Sequence, residues 1–200
     1  MRYQGAFGSL TDVGKVRISN EDQAFAASNN LGEVMLLVCD GMGGQNKGDC
    51  ASKLARDFIH DSFQKKRRIP GFLLPFYVSN LLKKANSLVY SESQRSSRYE
   101  GMGTTCCLAL ISGENLIVGN VGDSRCYCFD SGVLTQLSQD QTYVDYLYRT
   151  GKITKAQTTT RSDRHVLLNA LGIYPSSSSE VKRLHYSGQS ILLCSDGLYN

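Results

Sequence analysis

Three apolar runs in this chain each end at an aspartate flanked by small residues. Val34-Met35-Leu36-Leu37-Val38-Cys39 leads to Asp40, Leu116-Ile117-Val118-Gly119-Asn120-Val121-Gly122 to Asp123, and Ile191-Leu192-Leu193-Cys194-Ser195 to Asp196. The run before Asp40 has no polar alternation, the pattern of a strand covered on both faces, although a short buried helix shares it. Asp40-Gly41-Met42-Gly43-Gly44 then reads as the strand's end and a glycine turn. A single Asp-Gly after a strand is an ordinary tight turn. Three of them point instead to carboxylates held at one rim, converging on a hard cation that takes oxygen ligands.

Two hundred residues with 41% hydrophobic and 20% charged residues suit one domain with a substantial core. No apolar run reaches membrane-spanning length and the N-terminus lacks the layout of a signal peptide, so a cytoplasmic protein without a membrane partner is expected. Six of the seven cysteines, Cys39, Cys106, Cys107, Cys126, Cys128 and Cys194, sit in apolar runs and read as small buried hydrophobes in a reducing compartment. Cys126 and Cys128 find no matching pair for zinc. The net charge of +4 is modest. Its densest expression, Lys65-Lys66-Arg67-Arg68, reads as the last turn of a helix stopped by Pro70-Gly71, and no interleaved aromatics make it a nucleic-acid site.

Along the chain, residues 5–17 mix glycine with β-formers and suggest a bent strand, leading into Arg17, Glu21 and Asp22. Arginine offers a planar fork that matches a phosphate, and the two carboxylates can support a metal directly or through its waters, although such a cluster alone is commonly a solvated turn. Apolar stripes at helical spacing predict an amphipathic helix from about Asn46 to Arg68 and a second around Val78–Val89, with an exposed loop over 91–98. From Thr104 the texture is that of an antiparallel meander, broken by hairpin turns at Ser112-Gly113, Gly122-Asp123 and Ser131-Gly132. Between 142 and 169 it lapses into short helices, one opened by a capping box at Thr154-Lys155-Ala156-Gln157, forming an exposed flap. Strands resume at 181–186 and 189–194. The expected fold is α+β, an antiparallel β-sandwich flanked by helices in α-β-β-α layers, as a single domain over 1–200 with the flap as an insertion.

An all-oxygen set favours Mn2+ or Mg2+. Two such ions bridged by one carboxylate supply an activated water for in-line attack on phosphorus, with Arg17 holding the phosphate. The chemistry implied is hydrolysis of a phosphate ester without a covalent intermediate. A two-metal phosphohydrolase acting on nucleotides or sugar phosphates stays open on chemistry alone, although Gly41-Met42-Gly43-Gly44 lacks the Lys-Ser/Thr of a P-loop.

Arg17 with Glu21-Asp22, Val38-Cys39-Asp40-Gly41-Met42-Gly43-Gly44, Gly101-Met102-Gly103-Thr104-Thr105, Val121-Gly122-Asp123-Ser124-Arg125 and Leu193-Cys194-Ser195-Asp196-Gly197 occur in the order found in PPM-type metal-dependent serine/threonine phosphatases, and the chain resembles the bacterial members. The resemblance implies phosphorylated proteins as substrates, a serine/threonine kinase among them, and a monomer. It implies Asp40 as the bridging ligand, a carbonyl ligand from Gly41, Asp196 on one ion of a pair, and Asp123 on an additional, weaker ion. Glu21 and Asp22 would hold metal-bound waters, and Arg17 the phosphate. The family pattern also departs here: a further aspartate is expected beyond the Ser-Asp-Gly strand, whereas this chain stops at Asn200, so the C-terminal part of the domain is expected to be missing. Arg161-Ser162 and Gln141 stand where relatives often carry histidines, and Met42 where animal members carry one. His60, His165 and His185 are assigned structural places. The alternative reading is a pseudophosphatase or phosphoprotein-binding module that keeps the fold without turnover.

Overall fold

A computed structural model describes residues 5–43 and 47–199. Among these residues nine strands form two antiparallel sheets. The larger runs β1 (Asp22–Ser28), β2 (Val34–Met42), β4 (Cys106–Ser112), β5 (Asn115–Val121), β8 (Glu180–His185), with the two-residue β3 (Gly103–Thr104) on the end of β2; the smaller runs β7 (Val133–Gln136), β6 (Arg125–Asp130), β9 (Ser190–Cys194). Helices α1 (Lys47–Gln64) and α2 (Leu74–Ser93) cover the larger sheet, α3 (Tyr143–Arg149) and α4 (Lys155–Thr160) form the flap, and the single turn α5 (Asp196–Tyr199) follows β9.

The unbroken apolar runs follow from this layering. Successive side chains of a strand point to opposite faces, and both faces of the larger sheet are covered. Met35, Leu37 and Cys39 of β2, with Cys106, Leu108 and Leu110 of β4, pack against Ala55, Ile59 and Phe63 of α1 and Val78, Leu82 and Val89 of α2. Val34 of β2 and Cys107, Ala109 and Ile111 of β4 face the other way, onto Cys126 of β6, with Leu36, Ile191 and Leu193 against them. On the outward side of the smaller sheet, Phe129, Leu134 and Leu192 are 49%, 55% and 44% exposed. The described residues thus build three of the four expected layers.

Several expectations change. Residues 5–21 form no strand, and 5–18 are exposed throughout; the first strand begins at Asp22. β2 does not stop at Asp40, because β3 pairs Thr104 with Gly41 and Gly103 with Met42 and so carries the strand two residues further. Gly44 and the expected helix start at Asn46 lie outside the described residues, as does Asn200. Helix α1 ends at Gln64, before the basic run. Lys66 turns inward there and pairs with Glu33, 2.8 Å away, the two side chains 1% and 9% exposed. α2 extends to Ser93 and a 3-10 turn occupies Ser97–Tyr99, leaving little of the 91–98 loop. Gly122-Asp123 is not a hairpin turn, since β5 and β6 belong to different sheets and the chain crosses between them there. Gly122 makes that crossing with φ +99°, pressed against Thr105, whose Cγ2 would lie 2.7 Å from any added Cβ.

The flap is anchored at both ends. The hydroxyl of Thr142 accepts from the Asp145 amide and caps α3, while Thr142 and Leu167 form a bridge. The Thr154 amide donates to Gln157 Oε1 at 2.8 Å, the capping contact expected for α4. The turn that follows the flap is tied to α2 by buried Asn86, which accepts from the Gly172 amide and donates to the carbonyls of Tyr174 and Pro175.

Candidate functional site

The ends of β1, β2 and β9 and the β5–β6 crossing bring the expected carboxylates together. Asp22 lies directly opposite Asp40 in the β1–β2 register. Like charges facing each other across strands destabilise a sheet, so a strand pair built this way signals a cation that neutralises them. Burial pushes the Asp40 carboxyl up to about 8, helped by the charges of Asp22, Asp196 and Asp123. Burial and the neighbouring Asp196 and Asp140 push Asp123 up to about 6, against the opposing pull of Arg125. These are the signs of negative charge gathered without enough positive charge among the side chains.

The backbone around Asp40 is held from three sides. Its amide donates to Thr105 Oγ1 at 3.0 Å, and its carbonyl accepts from the Thr105 amide at 2.8 Å and from Thr104 Oγ1 at 3.0 Å. Thr105 Oγ1 lies 2.7 Å from Ser124 Oγ, joining the Asp40 strand to the Asp123 crossing. Ser195, one residue before Asp196, donates to Asp22 Oδ2 at 2.7 Å. Neither threonine nor Ser195 carried an assigned role in the sequence reading. Thr104-Thr105 inside the repeated glycine motif was the available signal, whereas nothing local marks a serine that reaches across 173 positions.

Gly41 is buried, and its amide donates to the Glu21 carbonyl at 3.1 Å. That same carbonyl accepts from Ser52 Oγ of α1 at 2.6 Å. The Glu21 side chain is 13% exposed and sits 3.9 Å from the Arg17 guanidinium. Arg17 is 66% exposed on the open N-terminal segment, so its donors are largely uncommitted. His165 lies in the flap segment, and its Nδ1 stands 3.9 Å from Asp196 Oδ2, bringing the flap to the carboxylate cluster. Between flap and sheet, Asp123, Arg125, Asp140, Lys155, Arg164 and His165 border a cavity of about 530 Å³.

The donor set is all oxygen, and its charge excess fits a divalent cation such as Mn2+ or Mg2+. Among the described residues, no three His, Cys, Asp or Glu side chains already close on one point as a ready-made cage. The cluster is therefore an arrangement of mutually repelling carboxylates gathered at one rim, whose charge a cation would neutralise.

Comparison with known proteins is consistent across sequence and fold. A family model described as protein phosphatase 2C matches residues 15–200. The serine/threonine phosphatase stp of Listeria monocytogenes is 32% identical over 194 residues, covering 95% of this chain and 76% of that protein. The crystal structure of serine/threonine phosphatase Stp1 from Staphylococcus aureus superposes with a TM-score of 0.89 at 31% identity, over 99% of this chain and 81% of that one. The catalytic domain of serine threonine protein phosphatase PstP in complex with two manganese ions does so at 0.76 and 30% identity, over 92% of this chain and 74% of that one.

Proposed function

The chain belongs to the protein phosphatase 2C family, and on that premise we propose that it hydrolyses phosphoserine and phosphothreonine esters in proteins, using a pair of divalent cations held at the carboxylate rim. The single observation that carries this reading is the four-aspartate cluster, in which Asp22 lies opposite Asp40, and burial, together with the charges of Asp22, Asp196 and Asp123, pushes the Asp40 carboxyl up to about 8.

In this reading Asp40 would be the ligand shared by the two ions, Asp196 and the Gly41 carbonyl would hold one of them, Glu21 and Asp22 would hold waters around them, and Asp123 would serve a further, weaker ion. Bound Mn2+ or Mg2+ supplies an activated water and neutralises charge on the phosphoryl group. The chain's own contribution is geometric and electrostatic. Three rigid strand ends hold the carboxylates, and the Thr104, Thr105 and Ser124 hydroxyls fix the backbone that carries Asp40 and Asp123. Arg17, exposed and with its fork largely free, reaches the phosphate oxygens and balances the charge that grows on them as the ester bond breaks. The 142–169 segment acts as the wall of the substrate cleft within one phosphatase domain. Phosphorylated proteins, a kinase among them, are the partners of this reading. No helix among the described residues is long and apolar enough to cross a membrane.

The test is Mn2+-stimulated release of p-nitrophenol from p-nitrophenyl phosphate and of phosphate from a phosphothreonine peptide. Asp40→Asn is expected to abolish both, and Arg17→Ala to lower kcat/KM while metal uptake persists. Full activity in Asp40→Asn would remove the bridging role. Phosphopeptide binding at saturating Mn2+ without turnover would favour the binding-module reading.

A further inference from the structure

Arg125 opens β6 two residues after Asp123, and its side chain is almost wholly spent inside the protein. Nε donates to Asp140 Oδ1 and Oδ2 at 3.0 Å each, Nη2 to Asp140 Oδ2 at 2.6 Å, and Nη1 to the Tyr127 hydroxyl at 3.2 Å. One face of the guanidinium lies 3.4 Å from the centroid of the Tyr199 ring, and the Tyr199 hydroxyl donates to the Asp123 carbonyl at 2.8 Å. A fork engaged in this way by a carboxylate, a phenol and a ring has little left for a phosphate, although Arg125 borders the same cavity as Asp123.

The partners come from three parts of the chain. Asp123 lies in the crossing between the sheets. Tyr199 stands on α5, three residues after Asp196 and so on the same side of that turn. Asp140 lies two residues before Thr142, the cap of the flap's first helix, and also accepts from Gln136 Nε2 at 2.9 Å. The Tyr199 contact sets the turn that begins at Asp196 beside Asp123, and like-charged carboxylates brought together in this way repel each other. A cation must find them already held at a workable separation.

We infer that Arg125 is a positioning residue which, through the Tyr199 ring and the Asp140 carboxylate, fixes the Asp123 and Asp196 carboxylates relative to each other and to the stem of the flap, and thereby sets divalent-cation affinity. The inference rests on the metal-centre reading above. Tyr199 acts as the strut: its ring rests on the guanidinium while its hydroxyl grips the Asp123 backbone. Supports behind the ligands of metal sites commonly change affinity when altered, by roughly 10–100-fold.

The experiment is calorimetric titration of MnCl2 into the unsubstituted chain and into Tyr199→Phe and Arg125→Lys, with thermal melting of each metal-free protein in parallel. Tyr199→Phe keeps the ring and loses the Asp123 contact; Arg125→Lys keeps the charge and loses the fork and the stacking. The expected result is weaker Mn2+ binding in both, by roughly 10-fold or more, with the metal-free melting temperature of Tyr199→Phe unchanged. Mn2+ affinity in Tyr199→Phe equal to that of the unsubstituted chain, whatever happens to Arg125→Lys, overturns the inference alone. No Mn2+ uptake by the unsubstituted chain overturns the proposed metal centre and the inference with it.

Discussion

Asp40 carries the opposing demands of stability and function on one side chain. Its carboxyl is raised from the usual carboxylate range to about 8, first by burial and then by Asp22, Asp196 and Asp123, while Asp123 is raised to about 6. A carboxyl whose folded pKa lies above its unfolded value binds its proton more tightly when folded. Its contribution is fully present below about pH 4 and is lost as pH rises through the folded value. The metal-free protein is therefore expected to lose stability between about pH 4 and pH 8, on the order of a few kcal/mol, as read by urea midpoints across that range. Saturating Mn2+ should reverse the slope, because cation binding competes with those same protons. Asp40→Asn should make the metal-free protein more stable at pH 8 while removing Mn2+-dependent turnover. A stability loss in that variant would mean that the carboxylates do not strain the metal-free fold.

At the scale of elements, the position of β2 depends on how closely α1 can approach it. A Cβ on Gly41 would collide with the Gly48 carbonyl oxygen, and one on Gly48 would meet the Gly41 carbonyl carbon at 2.6 Å. The first turn of α1 is thus seated on the strand's backbone next to Asp40, with Ser52 of the same helix bonded to the Glu21 carbonyl. The glycine after Asp40 serves this contact, which the reading of it as a turn residue and carbonyl ligand does not include. Gly48→Ala should push helix and strand apart, because backbone atoms cannot yield as a flexible side chain would. The expected loss is about 1–3 kcal/mol in denaturant unfolding, with Mn2+ binding weakened as well. Unchanged Mn2+ affinity would separate the helix seat from the carboxylate geometry.

Across the whole molecule, the two ends of β2 are stabilised by opposite means. At the Asp40 end charge is left unbalanced; about seven residues away, roughly 23 Å along an extended strand, Glu33 is fully paired. Its carboxylate accepts from Lys66 at 2.8 Å, Ser112 at 2.7 Å and Asn29 at 2.9 Å, joining both hairpins of the larger sheet to the end of α1. Burial alone would raise the Glu33 pKa, but these partners hold it below the ordinary value. Glu33→Gln leaves the Lys66 ammonium buried without its counter-charge and should cost about 3–5 kcal/mol. Adding Lys66→Met should recover much of that loss, since a well-packed apolar pair can replace a buried ion pair. Urea unfolding of the two single variants and the double variant decides it; additive losses would show that the two residues are not coupled.

The sequence by itself determined most of the strands and the placing of carboxylates at their ends. The run of six apolar residues before Asp40 suits a strand buried on both faces, and three apolar runs that each lead to an aspartate mark one rim, because a charged group ends such a run only where it meets water or a cation. The helical stripes of α1 and α2, the capped flap and the glycine motifs were legible for the same reason: each is a local pattern with one local cause. The tertiary structure decided what depends on partners distant in the chain. Lys66 reads as one of four surface cations until Glu33, 33 positions away, takes it inside. Gly122 reads as a hairpin until the chain is seen to change sheets, and β2 stops at Asp40 until β3 extends it. Arg125 stands in one of the quoted motifs and His165 is one of three histidines, but nothing local marks their partners or those of Tyr199. Their places are set by how the β5–β6 crossing, α5 and the flap pack together, and repulsion among carboxylates takes effect only once packing has forced them close.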